Sequence, residues 1–218
     1  MKHRLFLATL LAAASLSVQA VPFSETTRYS KLVMQSRLSD FYANKKQMGF
    51  NVYDGSGKMV KASAGASNLR LDYVPGLVAK AVLEAADYYH ATDEEAAQGW
   101  YRTIEGYANA YYASVPTSGG SLDDLNATKI YAQLYSLSQG AFASVANAAT
   151  SANAVNALQG AAKGLTTHDQ FYSIPASVKE DAAGGWFHKS GYPNQLWLDG
   201  QYMGPALLAQ LMALNAQH

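Results

Sequence analysis

The chain has 218 residues, sixteen basic against sixteen acidic, 49% of them hydrophobic, and no cysteine. Zero cysteine excludes a disulfide scaffold, thiolate metal ligation, a cysteine nucleophile and a lipid-modified cysteine anchor. Balanced charge removes the electrostatic driver for a nucleic-acid surface or a polybasic membrane patch, and the length fits one domain or a little more.

Lys2, His3 and Arg4 form a basic head, Leu5 to Leu16 an apolar stretch, and Val18-Gln19-Ala20 a small-residue ending. That is the layout of a secretory signal, too short for a comfortable membrane span, with cleavage expected after Ala20. Its removal takes away Lys2 and Arg4 and no acid, leaving a mildly acidic exported chain with no membrane span, suited to a bacterial periplasm or exterior.

Beyond it the pattern is helical. Tyr29, Leu32, Val33, Ser36 and Phe41 recur near a helical period between Thr26 and Tyr42, with Ser24 as N-cap. Asp54-Gly55-Ser56-Gly57 then signals a loop or small hairpin. Pro75 sets the next helix start, with Leu77, Val78, Ala81, Val82, Ala85 and Tyr88 as its apolar stripe. A partner follows from about Asp93 to Ala113, carrying Trp100, Ile104, Tyr107, Ala108 and Tyr111 on one face. Pro116 and Thr117-Ser118-Gly119-Gly120 end that pair, and Ser121 opens a third segment through Leu125, Ile130, Leu134 and Tyr135. An alanine-rich helix is expected from Ala141 to Ala162, then a long loop with one short helix from Gly164 to Ala183. The last helix begins near Asp199 and carries Tyr202, Leu207, Leu208, Leu211 and Leu214. Helical hairpins with almost no strand signal make an all-α architecture, without the fixed period of the familiar repeat classes.

The segment Gly184 to Pro205 is the richest in chemistry, gathering Trp186, Phe187, His188, Lys189, Tyr192, Asn194, Gln195, Trp197, Asp199 and Tyr202. Aromatic platforms beside amide, cationic and carboxylate groups suit a sugar, which offers apolar ring faces and many hydroxyls. An aromatic packing loop capped by Asp199 explains the same composition. Ser121 and Asp124 equally form a capping-box pattern, and Asp123 and Asp124 in a first helical turn are favoured by the helix dipole. Both acidic features nevertheless lie where a loop enters a helix. Carboxylates brought together there would repel, raising one proton affinity and creating a proton donor near neutral pH.

The motif Gly184-Gly185-Trp186, His188-Lys189, Tyr192-Pro193-Asn194-Gln195, Trp197-Leu198-Asp199-Gly200, Tyr202-Met203 and Pro205 closely resembles that of the unsaturated rhamnogalacturonyl hydrolases. These are glycoside hydrolase family 105, related to the unsaturated glucuronyl hydrolases of family 88. Asp72-Tyr73-Val74-Pro75-Gly76 and Leu122-Asp123-Asp124-Leu125-Asn126 match two further, weaker motifs in the same order, although Leu71-Asp72 stands at the family's tryptophan-type position. The resemblance implies an (α/α)6 toroid, the six-hairpin glycosidase fold, that binds an oligosaccharide ending in a 4,5-unsaturated uronic acid. It implies that Asp199 is the general acid and Asp124 its partner carboxylate, with Asp123 the less favoured occupant of that role. Lys189 then pairs with the uronate or is a solvated loop lysine, and His188 bonds sugar or has a structural partner. Trp197 stacks on the sugar ring or packs under Asp199, in a closed cavity that solvates the acid poorly, and Tyr73 lines the pocket or belongs to the core. No metal or organic cofactor is implied, and the histidines lack paired zinc spacing.

A six-hairpin ring needs more helices than follow the main motif here. Residues 21–218 are therefore expected to form an N-terminal portion of such a domain, prone to self-association where helix faces stay uncovered. A truncated, non-catalytic sugar-binding module of the same lineage is the alternative to an active hydrolase.

Overall fold

Residues 23–117, 121–166, 188, 192 and 195–215 are described by a computed structural model, in which the chain falls into two units, Met1–Arg37 and Leu38–His218. The expected signal segment lies outside the described residues. In the first unit, helix α1 spans Phe23–Arg37. It stops before the expected Tyr42 and contains Ser24, the anticipated cap. Phe41 lies instead in strand β1, Phe41–Ala43, which pairs antiparallel with β2, Lys46–Met48. Their turn places Asn44 at φ 51° and Lys45 at φ 64°, the left-handed pair that a tight two-residue hairpin requires.

A second hairpin joins β3, Val52–Tyr53, to β4, Met59–Lys61, where a loop or small hairpin is expected. Asp54 organises the turn by accepting hydrogen bonds from Ser56 N, Ser56 Oγ and Lys58 N at 3.0, 2.7 and 2.9 Å. The Ser56 hydroxyl and Lys58 amide bonds hold its carboxyl below the usual range.

The remainder is helical. Helix α2 spans Tyr73–Tyr89, α3 Glu94–Tyr111, α4 Leu122–Asn126, α5 Lys129–Gln139, α6 Thr150–Thr166 and α7 Leu198–Asn215. Helix α2 starts two residues before Pro75, because Asp72 caps it by accepting Tyr73 N–H. Its buried face carries Gly76, Ala79, Val82, Leu83, Ala86 and Tyr89, while Leu77, Ala81 and Tyr88 point outward. The expected stripe is therefore rotated. Gly76 allows a close backbone approach to Ala127, and Val82, Leu83 and Tyr89 fill the core beyond it, leaving Leu77 and Tyr88 outside. Helix α3 has the expected face, with Trp100, Ile104, Tyr107 and Ala108 buried.

The third expected segment is two helices, since Thr128 turns the chain by bonding Leu125 O through both N and Oγ1. The alanine-rich helix begins at Thr150 rather than Ala141. Phe142 is drawn into the core, stacked on Tyr101 with centroids 4.5 Å apart. Glu105 fixes the chain before α6, its buried Oε1 accepting from Tyr101 OH, Asn147 N and Thr150 Oγ1 at 3.2, 2.7 and 2.6 Å. Gly164 to Thr166 form the end of α6, and the rest of the expected long loop lies outside the described residues.

Helices α2, α5 and α7 run side by side in one direction. Near their starts Gly76 packs on Ala127, just before α5, and Lys129 reaches Tyr202. Further along, Lys80 and Asp87 of α2, Gln133 of α5 and Gln210 of α7 line one groove. Helices α3 and α6 pack against α2 and α5 as the return legs of the hairpins. The N-termini of α2, α4 and α7 thus gather at one end. No helix among the described residues is long and apolar enough to cross a membrane.

A Cβ on Gly76 would sit 2.7 Å from Ala127 Cα, a backbone atom that cannot step aside. Gly76→Ala is expected to lower unfolding free energy by about 1–3 kcal/mol in urea denaturation. An unchanged midpoint would show that α2 and α4 are not held this closely.

Candidate active site

His188 stands where these helix starts meet. Its backbone carbonyl accepts the otherwise unpaired first amide of α4, Leu122 N, at 3.1 Å. Its ring is buried, with Nε2 3.2 Å from Asp123 Oδ2. Nδ1 lies 3.6 Å from Asp199 Oδ1, beyond hydrogen-bond reach, and has no other partner among the described residues. The imidazole therefore separates two carboxylates carried by the first turns of different helices. One, Asp123, is four-fifths covered, and the other, Asp199, is about half exposed.

Trp197, immediately before α7, stacks on His188 with centroids 4.8 Å apart and on Tyr192 at 4.7 Å. Its Nε1 donates to Gln195 Oε1 at 2.9 Å. Aromatic contact thus fixes the ring plane of His188, and Asp123 holds its Nε2 while Nδ1 faces Asp199 without a hydrogen bond.

Asp124 is oriented differently from its neighbour. Its Oδ2 accepts from Ser121 N and Ser121 Oγ, both at 3.1 Å, and Ser121 Oγ accepts from Asp124 N, a complete capping box. The structure therefore brings Asp123, rather than Asp124, against His188 and toward Asp199. With half of its side chain exposed, Asp199 is more solvated than the closed cavity expected around it would allow.

Tyr73 is partly exposed at the start of α2, outside the apolar core. Lys189, Asn194 and Trp186 lie outside the described residues. Among the described residues no group of three or more histidine and acidic side chains is placed to hold a metal.

Asp72 is an acid that the sequence does not single out. It caps α2, and burial raises its proton affinity, opposed by the Tyr73 amide and reinforced by Asp124 and Asp123. Its position three residues before Pro75 is the one signal that could have flagged it.

The family model for Glycosyl Hydrolase Family 88 matches residues 56–218. This span takes in Asp72, Asp123, Asp124, His188 and Asp199, and the all-α arrangement of hairpins is consistent with the toroid of that family. No solved structure matches the chain.

The raised pKa of Asp72 carries a sign. The folded state holds the proton above pH 3.8, so the group's stabilising contribution is full below that value and is lost as pH rises through its folded pKa. Asp72→Asn keeps a good N-cap and removes the repulsion. It is expected to raise the denaturation midpoint at pH 7 and to change it little at pH 3. A drop at pH 7 would mean that the carboxylate stabilises the fold.

Proposed function

The chain belongs to glycosyl hydrolase family 88, the unsaturated-uronyl type of glycoside hydrolase, and on the geometry around His188 we propose how it works and on what. The substrate is an oligosaccharide left by a polysaccharide lyase, with a 4,5-unsaturated uronic acid at its non-reducing end. Rhamnogalacturonan products are the preferred source, on the match of the Trp186 to Pro205 motif to the rhamnogalacturonyl hydrolases.

The reaction is hydration of a vinyl ether rather than displacement at the anomeric carbon. Asp199 protonates C4, leaving positive charge shared between C5 and the ring oxygen. Water adds at C5 and gives its proton to the Asp199 carboxylate, restoring the acid. The resulting hemiketal opens, and the neighbouring sugar leaves. Asp123, held by His188, is the carboxylate that stabilises the developing cation. Lys189 supplies the counter-charge for the uronate, and Trp197 keeps His188 in place while its exposed edge meets the sugar. Residues 1–20 direct export to the bacterial periplasm or exterior, where lyase products arise.

The observation that carries this reading is the buried imidazole set between Asp123 and Asp199. It puts a carboxylate pair on two adjacent helix starts and shields one member from solvent.

The test is the fall in ultraviolet absorbance as the conjugated double bond is consumed in a lyase digest of rhamnogalacturonan or of a glucuronan. Asp199→Asn is expected to slow it by about 10³-fold and Asp123→Asn by about 10²-fold. Asp124→Ala should cost about 1 kcal/mol of stability through the lost capping box, with little change in kcat. A larger kcat loss for Asp124→Ala than for Asp123→Asn would reassign the partner acid. Equal inertness of wild type and Asp199→Asn on both digests would end the hydrolase reading.

A further inference from the structure

Lys129 is the first residue of α5 and only 3% exposed. Its ammonium donates to the backbone carbonyl of Tyr202 in α7 and lies 3.3 Å from the centroid of the Tyr202 ring. No carboxylate among the described residues forms an ion pair with it. A buried cation held by one carbonyl and an aromatic face is a costly arrangement, because neither partner returns the full hydration of an ammonium.

What it holds is informative. Tyr202 stands three residues after Asp199, so it lies about one turn further along the same face of α7. Pro205 follows three residues later, inside the helix. It supplies no amide for the carbonyl four residues back, and its ring crowds that carbonyl, so the helix is weakened beneath the turn that presents Asp199. The ammonium grips the chain at this weak point from the helix that follows Asp123.

We propose that Lys129 is a positioning residue, which clamps the first turn of α7 through Tyr202 and so fixes Asp199 relative to Asp123 and His188. In its catalytic consequence the proposal rests on the hydrolase reading; the clamp itself does not.

Among the described residues, the groups that bear on the Lys129 ammonium lie on α2 and α7. Lys80 of α2 repels it, and Tyr202 of α7 covers it. Burial, with Lys80 second, lowers its pKa from 10.5 to about 8. Between about pH 8 and 10.5 the unfolded chain binds the proton that the folded chain has released, so stability rises with pH across that window. A clamp kept at the expense of stability differs from a structural lysine, whose removal weakens the fold.

The test uses the full chain and Lys129→Met, which keeps length and burial but removes charge and donors. In urea denaturation wild type is expected to gain stability from pH 8 to 10, Lys129→Met to show no such gain, and the variant to be at least as stable at pH 7. On unsaturated oligosaccharide its kcat should fall about 10-fold with KM within about twofold, as a misplaced acid requires. Unchanged kcat, or a variant less stable at pH 7 with the same pH slope as wild type, overturns the proposal. Should wild type be inert on every substrate, the hydrolase reading fails and the clamp is judged by Trp197 emission, isolated by difference against Trp197→Phe. A shifted Trp197 spectrum in Lys129→Met supports the clamp, and an unchanged one overturns it.

Discussion

Burying an imidazole without hydrogen-bond partners costs roughly 2–7 kcal/mol, and His188 is buried with carboxylates facing both ring nitrogens. Its carbonyl meanwhile completes the first turn of α4. The end of the molecule where α2, α4 and α7 begin is organised around this one side chain. Asp123 and Asp199 would repel across an empty gap; with the ring between them each has a polar neighbour. Trp197 and Tyr192 close the aromatic side and determine which way the ring lies.

The helix packing explains why acids gather there. Helices α2, α4 and α7 all begin at this end, so their N-terminal amides favour the carboxylates of Asp72, Asp123, Asp124 and Asp199 there. Gly76 on Ala127 brings α2 to within backbone contact of the end of α4, which places Asp72 near Asp123 and Asp124. These acids differ in occupation. Asp124 is committed to its capping box, Asp72 to the start of α2, Asp123 to His188, and Asp199 remains the most open to solvent. Of the four, Asp199 has the access that the proposed proton transfer requires.

Much of this was legible in the sequence where a residue's chemistry and its local pattern agree. The aromatic face of α3, the capping box at Ser121, the turn at Asp54 and the start of the last helix near Asp199 all follow from short-range rules. The phase of α2 was not legible, because Gly76, Ala79 and Ala86 face a close helix contact that no hydrophobicity pattern ranks above Leu77 and Tyr88. The division of α4 from α5 depends on the Thr128 hydroxyl, and the late start of α6 on Glu105, forty-two residues before Asn147. The capping-box spacing from Ser121 marks Asp124 in the sequence, but that Asp123 is the neighbour of His188 depends on which side of a five-residue helix it occupies and on a contact sixty-five residues away. Lys129 reads as an ordinary helix lysine until Tyr202 is packed over it.

The most direct measurement of the His188 bridge is the nitrogen chemical shifts of its ring in isotopically labelled protein. If the bridge is as described, Asp123→Asn perturbs chiefly Nε2, and Asp199→Asn perturbs chiefly Nδ1, each leaving the other nitrogen nearly unchanged. Ring shifts indifferent to both substitutions would contradict the account, because the two carboxylates would then not be set about a common imidazole.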